Sequence, residues 1–257
     1  MNLLSVNQFI SAHQLTLILN GKKVAAEVNI TATAGEFVGL IGPNGAGKSS
    51  VLRMLAGLTK PAAGDVHIAP DTTSMSLLNI KAQERARFMA YLAQKETPAW
   101  PLSVKNLVAL GRSPWNSNID KNNLDEAAIQ TAMQMTEVSE LSERPVTELS
   151  GGELQRVLLA RVFAGEPRLI LADEPISALD VYHQLHIMEL LQSHAQSGGA
   201  VIAALHDLSL AARFCSRLVL MHQGKVVASG EPVDVLTPQN LAQVYGVSAH
   251  VDCRDDG

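Results

Sequence analysis

The stretch Gly42-Pro43-Asn44-Gly45-Ala46-Gly47-Lys48-Ser49-Ser50 constrains this chain more than any other. From Gly42 to Ser49 it fits G-x-x-x-x-G-K-[ST], the pattern of a phosphate-binding loop. Before it, Phe37-Val38-Gly39-Leu40-Ile41 is a short apolar run that reads as a buried strand. After it, Val51, Leu52, Met54, Leu55 and Leu58 recur at helical spacing. A strand, a glycine turn and a helix N-terminus make an anion site. Glycines let backbone N–H groups approach phosphate oxygens, and the helix dipole favours negative charge there. In such a loop Lys48 reaches the β- and γ-phosphates of a nucleotide and the Ser49 hydroxyl holds Mg²⁺. A glycine-rich turn with a chance lysine would carry the same letters, but not this strand and helix on either side.

At 257 residues the chain is long enough for one large domain or two small ones with a sizeable core. It is 47% apolar and 18% charged, ordinary for a globular protein, and its net charge of −5 gives no basic footprint. No nucleic-acid partner is therefore expected, although a local basic patch can hide inside a mildly acidic total. Cys215 and Cys253 lie far apart with no C-x-x-C or histidine spacing, which points to a reducing compartment and no cysteine metal site. Cys215, in an apolar setting, reads as a small core residue. No run approaches the roughly 18 apolar residues of a membrane span, and Met1 to Ile10 lacks the features of a signal peptide. The expectation is a cytoplasmic chain that meets a membrane only through a partner.

Residues 1–35 read as β-rich: Leu15 to Leu19 ends at the hairpin signal Asn20-Gly21, and Val24 to Thr33 returns. The loop helix ends near Gly57, and Asp65 to Ile68 is a short strand with His67 on its surface. Ile80 to Phe88 is helical, and Met89 to Ala93 is a strand that stops at Gln94. From residue 95 to 167 strand signals vanish. Pro98, Pro101 and Pro114 punctuate the first part, and helical pattern, including Leu124 to Val138, dominates the rest. We expect a single domain over 1–257, with 1–94 and 168–257 as an α/β core carrying a β subdomain and 95–167 as an inserted helical subdomain. The core resumes with Arg168 to Ala172, a run buried on both faces. Asp180 to Ala195 follows as a helix with Leu185, Met188, Leu191 and Gln192 along one side, then the strand Ala200 to Leu205, which ends at His206. Leu218 to Met221 and Lys225 to Ala228 form a hairpin, two short helices follow (Pro232 to Leu236, Pro238 to Tyr245), and Val251 to Gly257 is a polar tail.

Two further elements narrow the chemistry. Leu169 to Glu174 is an apolar strand ending in two acids. Asp173, at the carboxyl end, suits a Mg²⁺ contact, and Glu174 is placed to orient or deprotonate water. Alone, this would be a strand before a solvated acidic turn. Leu149-Ser150-Gly151-Gly152-Glu153 precedes a helical run, and Ser150 with Glu153 satisfies the S-x-x-E capping box. Two glycines at that tip leave backbone N–H groups bare, a second anion site free for the nucleotide held by another copy.

Residues 42–50, 149–153 and 169–174 resemble the phosphate loop, signature motif and Walker B strand of an ATP-binding-cassette (ABC) ATPase, and the resemblance covers essentially the whole chain. It implies an α/β phosphate-loop NTPase fold with a RecA-like core, an N-terminal antiparallel β subdomain and the inserted helical subdomain. It implies that Gln94 is the Mg²⁺-contacting switch glutamine, that Ser177, Ala178, Leu179 and Asp180 form the dimer-contacting D-loop, and that His206 contacts the γ-phosphate. Read bare, a histidine at a strand end is as readily structural. The family's adenine-stacking aromatic falls near Leu19 here, which offers only apolar contact; Ala172 and Ile176 also depart from common choices without removing a catalytic group.

The resemblance implies an ATP hydrolase that binds ATP and Mg²⁺ and pairs head to tail with a second copy of itself. It works with two transmembrane permease subunits and a substrate-binding protein at the cytoplasmic face of the inner or plasma membrane. Trp100-Pro101-Leu102-Ser103-Val104 through Val108 to Pro114 resembles importers of iron chelates, haem and cobalamin; Asp180 to Gln184 is similar to haem importers, and Leu236 to Gly246 to cobalamin importers. The stretch from Pro98 to Trp115 reads either as packing or as a groove for a short helix of the membrane subunit. Two other readings compete: a soluble ABC protein acting on nucleic acid or ribosomes, and an exporter subunit. The short spacing from Lys48 to Ser150, without sustained heptads, opposes a coiled-coil chromosome protein.

Overall fold

The computed structural model describes residues 8–69, 74–94, 100–115 and 122–248, with the backbone alone for 122–124. The expectations for the N-terminal seven residues, Pro98, Cys253 and the tail from Val251 lie outside the described residues.

The chain begins with an antiparallel sheet. Strands β1 (Gln8–Leu19) and β2 (Lys22–Thr33) are joined at Asn20 and Gly21, whose φ values of 50° and 76° suit a two-residue hairpin. β1 starts well before Leu15, where the alternation first becomes legible. The physical reason is a bulge: Gln14 has φ 49°, the register shifts between Ala12 and Leu15, and the inward phase changes across it. After β3 (Phe37–Ile41) and α1 (Lys48–Leu55), strands β4 (Ala63–Ile68) and β5 (Met75–Ser76) complete the order β2-β1-β4-β5. His67 lies half-buried in β4.

The second sheet is central. With α2 (Ala82–Phe88), β6 (Met89–Leu92), β7 (Leu169–Asp173), β8 (Ala200–Ala204), β9 (Arg217–His222) and β10 (Lys225–Gly230), its order is β10-β9-β3-β8-β7-β6. All neighbours pair parallel except β10 with β9. Every residue of β3, β7 and β8 is buried, because both faces are covered. Phe37, Ile41, Ile170, Ala172, Val201 and Ala203 face one hydrophobic cluster; Val38, Leu40, Leu169, Leu171, Ile202 and Ala204 alternate into the other. The second cluster holds α1 and the antiparallel sheet, so the loop between β3 and α1 is fixed from both sides.

The first cluster holds the remaining helices: α3 (Val104–Ala109), α4 (Asn122–Met135), α5 (Gly151–Ala164), α6 (Val181–Gln196), α7 (Leu208–Phe214), α8 (Pro232–Val235) and α9 (Pro238–Tyr245). α6 buries Ile187, Met188, Leu191 and Ala195, so its core stripe is rotated from the expected one, and Leu185 and Gln192 are only half-buried. Gln192 there donates to the Phe214 carbonyl at 3.1 Å. Cys215 is buried, and desolvation pushes its thiol up to about 12, which leaves it inert as expected. Trp115 is packed rather than free. Its indole N–H donates to Gly165 O at 3.0 Å, and the guanidinium carbons of Arg87 and Arg112 each lie 5.2 Å from its ring centroid. Trp100, by contrast, is 74% exposed. No helix among the described residues is long and apolar enough to cross a membrane.

Candidate nucleotide site

The ends of β3, β6, β7 and β8 deliver four loops to one edge of the central sheet. After β3 the chain turns through Gly42 to Gly47 into α1. Gly42 has φ 141°, and a Cβ there would lie 2.1 Å from Met221 O; Gly47 caps α1 at φ 104°, and a Cβ there would lie 2.5 Å from Val24 O. Only glycine meets both conditions. The turn is tied by Ala46 N–H to Pro43 O at 3.1 Å and by Gly224 N–H to Ala46 O at 3.0 Å. No side chain caps α1, so its first N–H groups are those an anion would meet.

Lys48 is buried over this loop. Its Nζ donates to Gly42 O at 2.7 Å and Pro43 O at 3.2 Å. Burial lowers its ammonium pKa, and the charges of Glu174 and Asp173 partly restore it. Ser49 Oγ donates to Asp173 Oδ1 at 2.9 Å, across from the end of β7. Asp173 is 3% exposed, and burial raises its carboxyl above the ordinary range despite the Ser49 hydrogen bond. A buried carboxylate beside a hydroxyl is a pair of hard oxygen ligands short of positive charge. That donor set fits Mg²⁺, which prefers a few protein oxygens together with phosphate oxygens.

Glu174 follows at φ 53°, in the left-handed region, which turns its side chain away from the β7 direction. Burial raises its carboxyl pKa, but hydrogen bonds from His206 and Gln94 and the charges of His206 and Lys48 outweigh that, leaving it below the ordinary value. His206, just past β8, sets its Nε2 against Glu174 Oε1 in a very short contact. Glu174 is thus an ionised acid held on one side by an imidazole.

Lys48, Ser49 and Glu174 share one cavity of about 290 Å³, lined by Val24, Asn44 to Ser50, Gln94 and Glu174. Leu19 is not among the lining residues; it is 49% exposed at the hairpin tip, whereas Val24, which sequence reasoning does not single out, is the apolar residue of the lining nearest in sequence to it. The signal for Val24 was only its return from the Asn20-Gly21 turn toward the loop. A larger crevice of about 560 Å³ lies elsewhere, but its cation, Arg112, is already paired with Asp125 at 2.7 Å and Glu166 at 2.6 Å. Chemistry, not volume, selects the loop cavity.

Ser150 to Glu153 do not line it. Ser150 caps α5, accepting from Glu153 N–H at 3.3 Å while Glu153 Oε2 accepts from Ser150 N–H at 2.8 Å, and Gly151 stands exposed at the tip. Ala178 packs beneath this tip: a Cβ on Gly152 would lie 3.2 Å from Ala178 O. Of the 177–180 segment, Leu179 is buried and Ser177, Ala178 and Asp180 are exposed; Asp180 caps α6 by accepting from His183 N–H at 2.9 Å.

Comparison with known proteins identifies the family. The ABC transporter family model matches residues 25–177. The hemin import ATP-binding protein HmuV of Rhodococcus jostii (strain RHA1) is 40% identical over 235 residues, covering 91% of this chain and 79% of that protein. HmuV of Bordetella avium (strain 197N) is 38% identical over 250 residues, 94% of each. A solved metal-chelate type ABC transporter in an inward-facing conformation matches with TM-score 0.79 at 25% identity, covering 94% of this chain and 90% of that one. A dimeric bacterial ABC transporter cassette matches with TM-score 0.75 at 25% identity, covering 87% and 98%. The chain belongs to the ABC transporter family, as an ATP-binding and ATP-hydrolysing component.

Proposed function

We propose that this protein energises import of hemin, working as a head-to-tail pair of copies beneath two membrane permease subunits supplied by a substrate-binding protein. The observation that carries the ATPase reading is the convergence of Lys48, Ser49 and Glu174 on one cavity, with Asp173 hydrogen-bonded to Ser49 behind it. The cargo reading rests on relatives named for hemin import that align over nearly the whole chain. On this reading the protein sits peripherally on the cytoplasmic face of the membrane. Residues 95–167 act as one helical unit inserted into the α/β core.

In the mechanism we infer, the amides of Gly42 to Ser50 cradle the phosphates of ATP and Lys48 exchanges its two loop carbonyls for phosphate oxygens. Ser49, Asp173 and Gln94 would hold Mg²⁺, which neutralises charge developing on the transferred phosphoryl group. Glu174 orients a water and takes its proton as the water oxygen bonds to the γ-phosphorus. The bond to the bridging oxygen breaks, leaving ADP and phosphate. His206 holds the Glu174 carboxylate and reaches the γ-phosphate. Ser150 to Gly152 of one copy close over the nucleotide of the other, and the 177–180 segment lies between the two copies.

The test is deletion of the encoding gene, followed by growth with hemin, a ferric siderophore or cobalamin as the limiting nutrient. Loss of growth on hemin alone, restored by the parent gene and not by Lys48→Ala, is the expected result. Loss on the siderophore alone would move the cargo to an iron chelate, and no loss on any of the three would count against import.

A further inference from the structure

The turn that presents Glu174 is held by groups that the nucleotide site does not use. Glu174 lies at φ 53°, a conformation that persists in a non-glycine residue only when its surroundings over-determine it. Its own N–H donates to Ala204 O at 3.2 Å, and its carbonyl accepts from Ser177 N–H at 3.4 Å and Ser177 Oγ at 3.3 Å. The next two carbonyls are each met by a glutamine from a different helix. Gln155 Nε2 donates to Pro175 O at 3.0 Å, and Gln184 Nε2 donates to Ile176 O at 3.3 Å. Gln155 is 6% exposed, an unusual burial for a glutamine, and it is absent from the cavity lining. It also lies one helical turn beyond Gly151 on α5, so one hydrogen bond joins the tip of α5 to the residue after Glu174.

We propose that Gln155 is a positioning residue for hydrolysis. Its amide fixes Pro175 and so aims the Glu174 carboxylate, without touching nucleotide. This rests on the reading of Glu174 as the group that takes the proton from water. Without the amide, Pro175 O is a buried acceptor with no donor, and the turn relaxes to satisfy it. A displacement of a fraction of an ångström at the carboxylate is enough to slow the step, because the attacking water must be held in line. Nucleotide affinity is unaffected, since Lys48, Ser49 and the loop amides are held by β3 and α1 rather than by α5.

The test uses the full-length chain with two substitutions. Gln155→Met keeps the volume and removes the donor. Gln155→Glu keeps the shape, and its carboxyl donates to Pro175 O only when protonated, a state that burial favours. ATP affinity and hydrolysis are measured from pH 5.5 to 8.5, each rate taken as a ratio to the parent at the same pH, so that the pH dependence common to both proteins cancels. We expect kcat of Gln155→Met to fall roughly 10- to 100-fold with ATP affinity within about twofold. The Gln155→Glu ratio should climb as the pH falls. A Gln155→Met rate within about twofold of the parent, or a Gln155→Glu ratio flat across the range, overturns the proposal. If Gln155→Met shows no cooperative thermal transition, the isosteric Gln155→Glu decides by the same ratio. Glu174→Gln, measured alongside, separates the two readings. A parent-like rate there overturns Glu174 as the base, whereas a silenced Glu174→Gln beside an unaffected Gln155→Met overturns the role of Gln155 alone.

Discussion

Two glycine-rich helix tips dominate this molecule, and they are built in opposite ways. At Gly42 to Ser49 the glycines are dictated by the chain itself: backbone carbonyls of Met221 and Val24 occupy the space of any Cβ at Gly42 and Gly47, and Lys48 is folded over the turn. At Ser150 to Gly152 the tip is exposed and its cap is complete, and a Cβ at Gly151 would meet nothing closer than 3.9 Å, at Ala178 Cβ. Packing inside the chain therefore explains Gly42, Gly47 and Gly152, but not Gly151. A position where the fold tolerates a side chain and the sequence has none points to a requirement outside the chain. On the proposed reading, the contrast is that between a whole site and half of another.

Substituting both tips should break the comparison most visibly. Gly47→Ala is expected to strain the cap of α1 by about 1–3 kcal/mol, lowering Tm by several degrees, and to weaken ATP binding roughly 100-fold through misplaced amides. Gly151→Asp is expected to leave Tm unchanged or slightly raised, because an acid in the first turn of α5 complements the helix dipole. ATP binding should survive while hydrolysis drops to background, since on the proposed reading the carboxylate would stand where the partner copy's γ-phosphate docks. Differential scanning fluorimetry with an ATP titration and a phosphate-release assay separates the two. A Gly151→Asp variant that hydrolyses normally removes the half-site reading.

Glu174→Gln comes next. Hydrolysis should fall by roughly two to four powers of ten, the usual contribution of a positioned acid–base group. Binding should persist, because the loop and Asp173 are untouched. If hydrolysis reopens the pair, the variant should elute as an ATP-dependent dimer in size-exclusion chromatography. Elution as a monomer with ATP bound would detach dimer formation from the tip at Ser150 to Gly152.

The two tips also differed in how far they could be read from the sequence. The loop was legible because its strand is a continuous apolar run and its helix carries a clean stripe, and both follow from burial on two faces. The same physics made β7 and β8 readable. β1 was read too short because a bulge at Gln14 hides the change of inward phase. The short helix α7 was passed over: seven residues carry little periodicity, although Asp207, which accepts from Ser209 and Leu210 N–H groups at 2.8 and 2.9 Å, is a cap signal in hindsight. Gln155 could not have been found at all, since a glutamine between Leu154 and Arg156 in a helix looks like surface. Its partner is a carbonyl 20 residues away, and carbonyls leave no mark in a sequence.

A smaller effect sharpens the capping side of the comparison. Ser150→Ala removes the hydroxyl that accepts from Glu153 N–H, one half of the reciprocal pair, worth about 1 kcal/mol, and should lower Tm by roughly 2–4 °C in a chain of this size. The same class of change at α1 has no counterpart, because that helix has no side-chain cap to lose. Thermal melts of Ser150→Ala beside the parent check it, and a loss of ATP binding with it would show that the tip of α5 supports the loop within one chain.

The smallest effect lies in two neighbouring acids whose ionisation acts on stability with opposite signs. Burial raises the Asp173 pKa, so the folded chain binds that proton more tightly than the unfolded one. Between the ordinary aspartate value of about 3.9 and the raised value, stability falls as pH rises, and above it the full cost of the buried charge remains. Glu174 is the reverse: its pKa is depressed, so its contribution is fully present above the ordinary glutamate value of about 4.3 and is lost as pH falls through the folded value. At pH 7 without nucleotide, Asp173→Asn should therefore raise Tm, since Asn keeps an acceptor for the Ser49 hydroxyl and carries no charge. Glu174→Gln should lower Tm by removing the charge that His206 and Lys48 favour. Both differences should shrink on acidification, the Asp173 one vanishing first because that carboxyl protonates at the higher pH. Melting curves from pH 3.5 to 7.5 read the two series. An Asp173→Asn variant less stable than the parent at pH 7 would mean that Lys48 already compensates the buried carboxylate, and that the shortage of positive charge inferred at the Ser49–Asp173 pair does not exist.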